Sequence, residues 1–518
     1  MKSYVVIILT LLFLFVMGLS AHNFAHTNRM GDEVGHMVGG HLALHGTKLY
    51  KDIHFNHQPL VYYYSSLTEA ISKPDNLFNY ISRQRDAVFI YAAVWELLLI
   101  AFFGLPMVFF MALFEMSKYL LSGEKLLAET LAVYPVVFVC VSLIQLVVNK
   151  KHLTSLHICI LSISFFLITF SLLPLWPFVL LTLSLFIWYF RKNHRKLLYI
   201  LLPFFACTIV LFVITPLSDY LRETIVYNTR YFLPSQAGKQ SVFNVVMLPI
   251  LSFLPPYTPI KLLFSGSIFI LLIFGLDWLK NKKEYGAIIL LPLLLLNTRT
   301  DFATFDNFHL LPQFGAMLAT AMYLIFEAIK NNFKSNRLFI SVSFVLFIGI
   351  TGWIYRAFPI FYSTKPFITE QHYIFYSESE THGGVVKILK SPTDRLLVFE
   401  NDPLVYWVAD IHMATKVLEY YPWITTIPEY EENFVTTITQ NPPEFIVIPD
   451  ISSHDQVFRN RLNQVLLSSY VQLHHLNKPS KVYVHEDKVK TISDSQKILL
   501  KDKLFTIPVI SLNENSQE

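Results

Sequence analysis

Long apolar blocks separated by short polar segments dominate the first two-thirds of the chain. The first block runs from Val5 to Leu19, and later ones include Leu126 to Val148 and Leu338 to Tyr355. A helix needs about 20 mostly apolar residues to cross a lipid bilayer, and these blocks reach or approach that length. The pattern therefore predicts a polytopic α-helical membrane protein with roughly 11–13 spans, whose first block is an uncleaved span rather than a signal peptide.

Basic clusters between the blocks indicate how the chain is threaded. They lie at 149–152, 191–196, 280–283 and 330–337. Loops rich in Lys and Arg usually stay in the cytoplasm. We therefore expect these four loops on the cytoplasmic side, and we expect the loop after the first span and the C-terminal region on the extracytoplasmic side.

Two parts of the apolar pattern predict interrupted helices. Within 153–190, the sequence Pro174-Leu175-Trp176-Pro177 predicts the turn of a helical hairpin. Within 88–148, the expected orientation requires an odd number of crossings, whereas two good blocks are visible. Either one block is re-entrant or Pro106 divides the first, and the sequence leaves both alternatives open.

The character of the chain changes after Arg356, where polar residues become frequent. Strand-like runs occur at Arg395 to Phe399, Glu444 to Ile448 and Lys481 to Val484, with a helical pattern around Val457 to Tyr470. Alternating strands and helices predict an α/β domain. We therefore divide the chain into a membrane domain, 1–358, with a first external loop at 21–86, and a C-terminal extracytoplasmic α/β domain, 359–518.

Composition supports a membrane protein and excludes several other classes. Hydrophobic residues make up 53% of the 518 residues and charged residues only 15%, with a net charge of +4, whereas an average soluble protein has about a quarter charged residues. The three cysteines lie in apolar stretches and offer no disulfide framework for the polar regions. Phosphate-binding glycine loops and a GxSxG elbow are missing, which disfavours nucleotide-driven transport and hydrolase chemistry.

A pair of carboxylates, Asp32 and Glu33, follows the first apolar block after a short loop. Ionisable groups beside a bilayer span are candidates for function, because they are costly to bury. One of them could act as a general base that takes a proton from an acceptor hydroxyl. The alternative is a local role, because carboxylates also cap helix N-termini and a helix over 34–44 could begin here.

Histidines are concentrated around this pair. His41 and His45 are four residues apart, which on a helix is a workable spacing for metal ligands. No HExxH or Cys-His signature accompanies them, so a polar stripe on lipid headgroups is the competing interpretation, and no metal site is assigned. The full cluster comprises His22, His26, His36, His41, His45, His54 and His57.

Three further charged residues stand out beside or inside predicted spans. Arg299 and Arg230 are expected on the external side, where a guanidinium can bind a lipid phosphate through paired hydrogen bonds. Each is also compatible with a side chain that anchors a span end at the membrane surface. Glu96 lies inside a predicted span, where it either pairs with a buried cation or sits neutral in the bundle.

The order of these motifs resembles a known family. An external loop that opens with Asp-Glu, a stretch of the form AL.G..LY.D and a later H.PL.YY resemble bacterial polyprenyl-phosphate-sugar glycosyltransferases of the GT-C fold, relatives of protein mannosyltransferases and aminoarabinose transferases. The segment from His309 to Pro312 is similar to the family's HYLLP motif without its tyrosine. A cation that the family often carries after the span matching 156–170 is missing here. The matching loop residues are Asp32, Glu33, Gly46, Leu49, Tyr50, Asp52, His57, Pro59, Leu60 and Tyr62.

The resemblance implies a multi-pass membrane enzyme that moves a hexose or pentose, with inversion, from a polyprenyl-phosphate donor to a glycan, lipid or protein acceptor. It implies no metal, no cofactor and no nucleic-acid partner. Asp32 and Glu33 would be catalytic. A transporter or flippase for lipid-linked glycans, or a polysaccharide polymerase or ligase, remains the alternative. The implied substrate-binding residues are Tyr50, Asp52, His57, Arg230, Arg299 and His309.

Overall fold

The computed structural model describes residues 3–24, 26, 29–147, 152–235, 242–280, 293, 295–296, 307–330, 349, 365–399, 402–421, 423–448, 456–477 and 480–508. The helices up to residue 330 are α1 (Ser3–Phe24), α2 (Gly31–Leu44), α3 (Leu60–Ser72), α4 (Leu77–Phe103), α5 (Leu105–Ser117), α6 (Ala128–Val147), α7 (Ser155–Ser171), α8 (Trp176–Phe190), α9 (His194–Ile214), α10 (Leu217–Leu221), α11 (Leu233–Ser235), α12 (Val242–Leu251), α13 (Pro259–Lys280) and α14 (Leu311–Lys330).

The fold is a polytopic membrane fold, as predicted. Within the described residues, six helical segments are long and apolar enough to cross a membrane, and α7 is a shorter apolar helix. Most of the predicted span Leu338 to Tyr355 lies outside these residues, so the figure of roughly 11–13 spans stays a prediction. The six segments are Leu77–Phe103, Ala128–Leu146, Leu173–Phe190, His194–Ile214, Pro259–Leu276 and Phe308–Glu327.

The two interrupted regions form broken helices. The hairpin predicted in 153–190 consists of α7 and α8, joined by a 3-10 turn at Leu173–Leu175. In 88–148, the first apolar block divides between α4 and α5. Gly104 makes this break with a φ of 77°, a conformation that favours glycine, and Pro106 follows in the first turn of α5. The first block is therefore divided two residues before the proline, while the number of crossings in 88–148 stays a prediction.

Short 3-10 and π-helical segments connect the helices of the membrane domain to the polar regions. A 3-10 turn, Lys118–Leu121, follows α5, and another, Phe308–Leu310, precedes α14. Between α10 and α11 the chain forms a π-helix, Arg222–Phe232. Such helices are rare and occur often at functional sites. The π-helix borders the site described below.

The C-terminal region is an α/β unit, as predicted. A five-stranded sheet has the order β2-β1-β3-β6-β4, in which β1 is parallel to β2 and β3, while β6 is antiparallel to β3 and β4. A separate antiparallel pair joins β5 and β7. The strands are β1 (Arg395–Val398), β2 (His412–Met413), β3 (Phe445–Val447), β4 (Tyr470–Gln472), β5 (His474–His475), β6 (Val482–His485) and β7 (Phe505–Thr506), and the helices are α15 (Lys365–Leu389), α16 (Leu404–Ala409), α17 (Pro428–Gln440), α18 (Gln456–Ser469), α19 (Glu486–Lys490) and α20 (Asp494–Asp502).

The α/β unit is packed against the first polar loop. Val34 and Val61 of α2 and α3 share one hydrophobic core with Val398 and Val405 of the α/β unit. The backbone N–H of His54 donates a 2.8 Å hydrogen bond to the carbonyl of Lys416. Burial of this apolar surface fixes the loop and the α/β unit relative to each other. The domain boundary at residue 358 stays a prediction. In the structure, the first loop and the α/β unit pack against each other through this shared core.

Candidate active site

Asp32 lies in the first turn of α2, with its side chain directed at a small polar pocket. The N-cap position is occupied by Met30, and neither Asp32 nor Glu33 accepts a capping hydrogen bond there. No hydrogen bond or ion pair of the Asp32 carboxylate occurs within the described part of the chain. A helix does begin here with Asp32 in its first turn, as the local interpretation expects, but the Asp32 carboxylate has no hydrogen-bond partner in the described residues and is available to a ligand.

The polar pocket is built from the first loop and the α/β unit together. It is lined by Asp32, Gly35, His36, His54, Phe55, Asn56, His57, Tyr62, Leu418, Glu419, Tyr421 and Ile424. The loop residues come from α2, from α3 and from the segment between them, whereas the last four come from the segment after β2. The α/β unit thus forms one wall of the pocket around Asp32.

Glu419 is an acidic residue of the pocket that the sequence does not single out. Its Oε2 atom accepts a 3.4 Å hydrogen bond from the Tyr421 hydroxyl, while its buried Oε1 atom has no partner in the described residues. Burial, and after it the negative charge of Asp32, raise the pKa of Glu419 to about 8. No sequence motif marks this glutamate, because only folding brings it next to Asp32.

Glu33 has a different environment from its neighbour. Arg85 donates two hydrogen bonds to its carboxylate, from Nε at 2.9 Å and from Nη2 at 2.6 Å. The backbone N–H of Leu126 donates a third, at 3.1 Å. Glu33 and Arg85 are both almost fully buried. The two neighbouring carboxylates therefore differ. Asp32 is available to a ligand, whereas Glu33 links α2 to α4 and to the segment just before α6.

An apolar cavity of about 350 Å³ adjoins the polar pocket. Asn56 and His57 line both, so they form the boundary between the two. The other lining residues come from the α7–α8 turn and the π-helix with its flanks, and they comprise Gln58, Ser171, Leu172, Leu173, Pro174, Pro177, Asn228, Thr229, Phe232 and Leu233. An apolar cavity beside a polar pocket suits an amphiphilic ligand.

Gln58 places a hydrogen-bond donor in this cavity. Its Oε1 atom accepts a 2.7 Å hydrogen bond from the Tyr220 hydroxyl, which fixes the orientation of the amide. Its Nε2 atom is buried without a hydrogen-bond partner among the described residues. A buried unpaired donor is costly, so a site of this kind favours a ligand with an acceptor oxygen. In the sequence, Gln58 occupies the unspecified second position of the H.PL motif, so the motif by itself does not mark this residue.

Two predicted substrate-binding residues, His57 and Tyr50, lie together at the boundary. The Nδ1 atom of His57 is 3.1 Å from Nε2 of His36, whose Nδ1 atom is 2.9 Å from the Leu126 carbonyl. The Tyr50 hydroxyl donates a 2.8 Å hydrogen bond to the carbonyl of His57. Tyr50 therefore holds the backbone of the boundary segment, while the His57 ring lines the pocket.

The other predicted substrate-binding residues do not line either cavity in the described structure. Asp52 is exposed and accepts a 2.9 Å hydrogen bond from the backbone N–H of Lys48, within a turn. Arg230 is exposed, with its guanidinium over the ring of Tyr231. His309 lies 2.6 Å from a carboxylate oxygen of Glu129 on α6. Arg299 lies outside the described residues.

A second set of buried polar groups attaches the π-helix to the α/β unit. Glu223 forms ion pairs with His54, at 2.5 Å, and with Lys416, at 2.9 Å, and it accepts a hydrogen bond from the Tyr430 hydroxyl. Burial would raise the pKa of Glu223, but His54, Tyr430 and Lys416 outweigh it and lower the pKa to about 2. These contacts hold together three segments that border the polar pocket.

The histidine cluster is distributed over several contacts. His41 is 2.8 Å from Glu69, and the Nδ1 atom of His45 is 2.9 Å from the His41 carbonyl. His26 contacts Ser82 and His372, while the exposed His22 lies 3.2 Å from Asp86. No group of three or more His, Cys, Asp or Glu side chains positioned to hold a metal ion is found in the described ranges.

Glu96 belongs to a separate buried cluster inside the helices. The charged groups that act on it are Glu115 and Lys118, which are paired at 2.6 Å. Tyr134 links the pair, since its hydroxyl donates to Glu115 and accepts from Lys118. Neither oxygen of Glu96 has a hydrogen-bond partner among the described residues. Glu96 thus faces the bundle interior, beside an ion pair rather than in one.

Comparisons with known proteins identify the fold. No family model matches the sequence, and no curated protein matches it. The structure is similar to the crystal structure of ArnT from Cupriavidus metallidurans bound to undecaprenyl phosphate, with a TM-score of 0.53 over 93% of this chain and 98% of that chain, at 10% identity. The apo structure of the same protein gives a TM-score of 0.50 over 92% and 97%, at 11% identity. The predicted GT-C-like fold is confirmed.

Proposed function

We propose that this protein is a membrane glycosyltransferase that moves a sugar from a polyprenyl-phosphate donor to an acceptor hydroxyl. The observation that carries the proposal is that the polar pocket around Asp32 and the apolar cavity lie side by side, with Asn56 and His57 lining both. A lipid-linked sugar has the same two parts, an apolar chain and a polar head. The structural similarity to ArnT, whose crystal structure contains undecaprenyl phosphate, supports the same donor class.

The geometry suggests how the reaction would proceed. The isoprenoid chain would occupy the cavity beside Leu172 and Phe232, with its phosphate near the unpaired Nε2 atom of Gln58. Asp32 would take the proton of the acceptor hydroxyl as its oxygen bonds to the anomeric carbon. The bond from that carbon to the phosphate oxygen breaks, and its electron pair leaves with the polyprenyl phosphate. Attack opposite the leaving group inverts the anomeric centre.

The remaining substrate contacts are part of this proposal. Arg230 follows Thr229, which lines the cavity, and its exposed guanidinium lies over the ring of Tyr231; it stays a candidate contact for the phosphate. Arg299 is retained as a candidate from the sequence. Positive charge near the departing phosphate would stabilise the transition state. The roles of Asp52 and His309 have less support, because their polar atoms are engaged in a turn and with Glu129.

The proposal places the active site and the α/β unit on the extracytoplasmic side. The basic clusters of the sequence support this orientation. A cysteine introduced at Leu467, whose side chain is 88% exposed, tests it in a variant in which the three native cysteines are replaced. Labelling by an impermeant thiol reagent in intact cells is expected. Labelling that requires permeabilisation would put the α/β unit in the cytoplasm.

The function is tested with purified protein in detergent. Undecaprenyl-phosphate sugars with radiolabelled hexoses or pentoses are incubated with envelope material from cells that lack the protein. We expect one donor to lose its label to the acceptor fraction and to release undecaprenyl phosphate. A protein that moves labelled donors across liposome membranes without transfer would instead be a flippase. Transfer of preassembled oligosaccharides alone would indicate a polymerase or ligase.

A further inference from the structure

The α/β unit contributes a carboxyl group to the pocket around Asp32. Glu419 reaches the first turns of α2 because position 35 is glycine: a Cβ atom there would lie 2.7 Å from Oε2 of Glu419. The Oε1 atom is shut off from solvent and has no hydrogen-bond partner in the described residues. Both carboxyl groups line the same pocket, beside Tyr62 and Tyr421. The pocket has a volume of about 20 Å³, so it admits one hydroxyl-sized group of a ligand to the polar atoms of the two acids.

We propose that Glu419 is a second substrate-contacting group of this site, an undissociated carboxylic acid that donates a hydrogen bond to an oxygen of the carbohydrate bound between it and Asp32. This inference rests on the proposed function, since it assumes that a sugar occupies the polar pocket. Two acids in one site can divide acid and base roles when their environments keep one protonated and the other ionised. Glu419 keeps its proton through the transfer, and Asp32 receives the proton of the acceptor.

The groups around Glu419 favour its protonated form. Burial and the charge of Asp32 act against its ionisation, while the Tyr421 hydroxyl and Arg29 act for it, and the balance leaves its pKa at about 8. Arg29 is engaged 2.6 Å from Asp402, so its charge is shared. The remaining groups of the pocket that titrate or carry a hydroxyl are Tyr62 on α3 and the histidines His36, His54 and His57. At neutral pH, Glu419 is therefore a donor.

Glu419→Gln and Glu419→Ala distinguish a donor from a bystander. The glutamine amide still donates a hydrogen bond but cannot ionise, whereas alanine does neither. Glu432→Gln is the matched control, because Glu432 is an exposed carboxylate on α17. The transfer rate of each purified protein is measured from pH 6 to pH 10 with the undecaprenyl-phosphate sugar that the wild type uses.

We expect the wild-type rate to fall as the pH rises above about 8, where Glu419 loses its proton. Glu419→Gln should keep a near-normal rate at pH 7 and lose this alkaline decline, while Glu432→Gln should behave as the wild type. Glu419→Ala should be about 3- to 10-fold slower at pH 7, the range that one hydrogen bond contributes. If the alanine variant does not fold, the pH profile of the glutamine variant decides.

An unchanged alkaline decline in Glu419→Gln would overturn the inference, and so would a wild-type rate in a folded Glu419→Ala protein. Either result would leave the proposed function intact, because the wild type would still transfer sugar. A wild type that transfers sugar from no lipid-phosphate donor would overturn the proposed function, and the inference with it. The wild-type measurement therefore separates the two failures.

Discussion

Two pairs of acidic residues lie in different surroundings in this protein. Glu96 and Glu115 are enclosed by the helices, where Lys118 supplies a cation at 2.6 Å from Glu115. Asp32 and Glu419 line a pocket that shares Asn56 and His57 with a neighbouring apolar cavity, and the described structure places no ion-pair partner on either. A buried acid compensated by its own protein is typical of a structural role, whereas uncompensated acids beside a cavity favour a ligand.

This difference bears on the choice between an enzyme and a transporter. A transporter site is expected near the bilayer midplane, between broken helices. Glu96 lies within a span, but the Glu115–Lys118 pair and Tyr134 occupy the space beside it. The pocket at Asp32 lies instead where the first loop meets the α/β unit. The comparison therefore favours chemistry at Asp32, and four measurements test it.

The largest expected effect is on the reaction itself. Asp32→Asn keeps the size of the side chain and removes its basicity, so transfer should fall by about 10²–10⁴-fold, as for the loss of a general base. Thermal unfolding should be unchanged, because no hydrogen bond or ion pair within the described residues depends on Asp32. The assay is sugar transfer at equal protein concentration. Near-normal turnover of a folded Asp32→Asn protein would remove the catalytic assignment.

The next effect concerns the neighbour of Asp32. Arg85→Met leaves the Glu33 carboxylate buried without its partner, and we expect a loss of about 3–5 kcal/mol in the free energy of unfolding. Removing both charges, in Glu33→Gln with Arg85→Met, should restore much of this loss. Thermal or denaturant unfolding in detergent measures both proteins. Equal stability of Arg85→Met and wild type would show that the 2.6 Å ion pair contributes little.

A smaller effect is expected in the pH dependence of stability. Glu419 keeps its proton in the folded protein up to about pH 8, whereas the ordinary value is 4.5. The folded state therefore holds more protons than the unfolded state between these values, and wild-type stability falls as the pH rises through this window. Glu419→Gln lacks this penalty.

Its unfolding temperature should match the wild type below pH 4.5 and exceed it by an amount that grows as the pH rises to 8. Differential scanning fluorimetry across this range measures the difference, with Glu432→Gln as control. A constant offset between the two proteins at every pH would contradict the assignment of the proton to Glu419.

The smallest effect is expected inside the helices. Glu96→Gln should leave sugar transfer within about threefold of wild type and change the free energy of unfolding by about 1 kcal/mol or less, since neither carboxylate oxygen has a hydrogen bond to lose. Transfer and unfolding are measured as for Asp32→Asn. A loss of activity as large as that of Asp32→Asn would place function in the bundle and revive the transporter alternative.

Much of the fold could be predicted from the sequence, because the signals are local. Apolar length predicts spans, and alternating runs predicted β1, β3, β6 and α18 at nearly their observed bounds. The strands β2, β5 and β7 have two residues each, too few for a pattern, and Tyr470, which begins β4, was assigned to the preceding helical pattern. The break in 88–148 was one of two open alternatives, because a single glycine with positive φ decides it.

The residues of the candidate site were likewise predictable only in part. The sequence determined that Asp32 and His57 lie in one polar loop beside a span, because a charge next to a long apolar block stands out in any fold. Three relations became visible only in the folded protein. Glu33 forms an ion pair with Arg85, Gln58 lines the apolar cavity, and Glu419 lines the same pocket as Asp32. These relations join segments that are distant along the chain. They depend on which surfaces pack together, which no local pattern records.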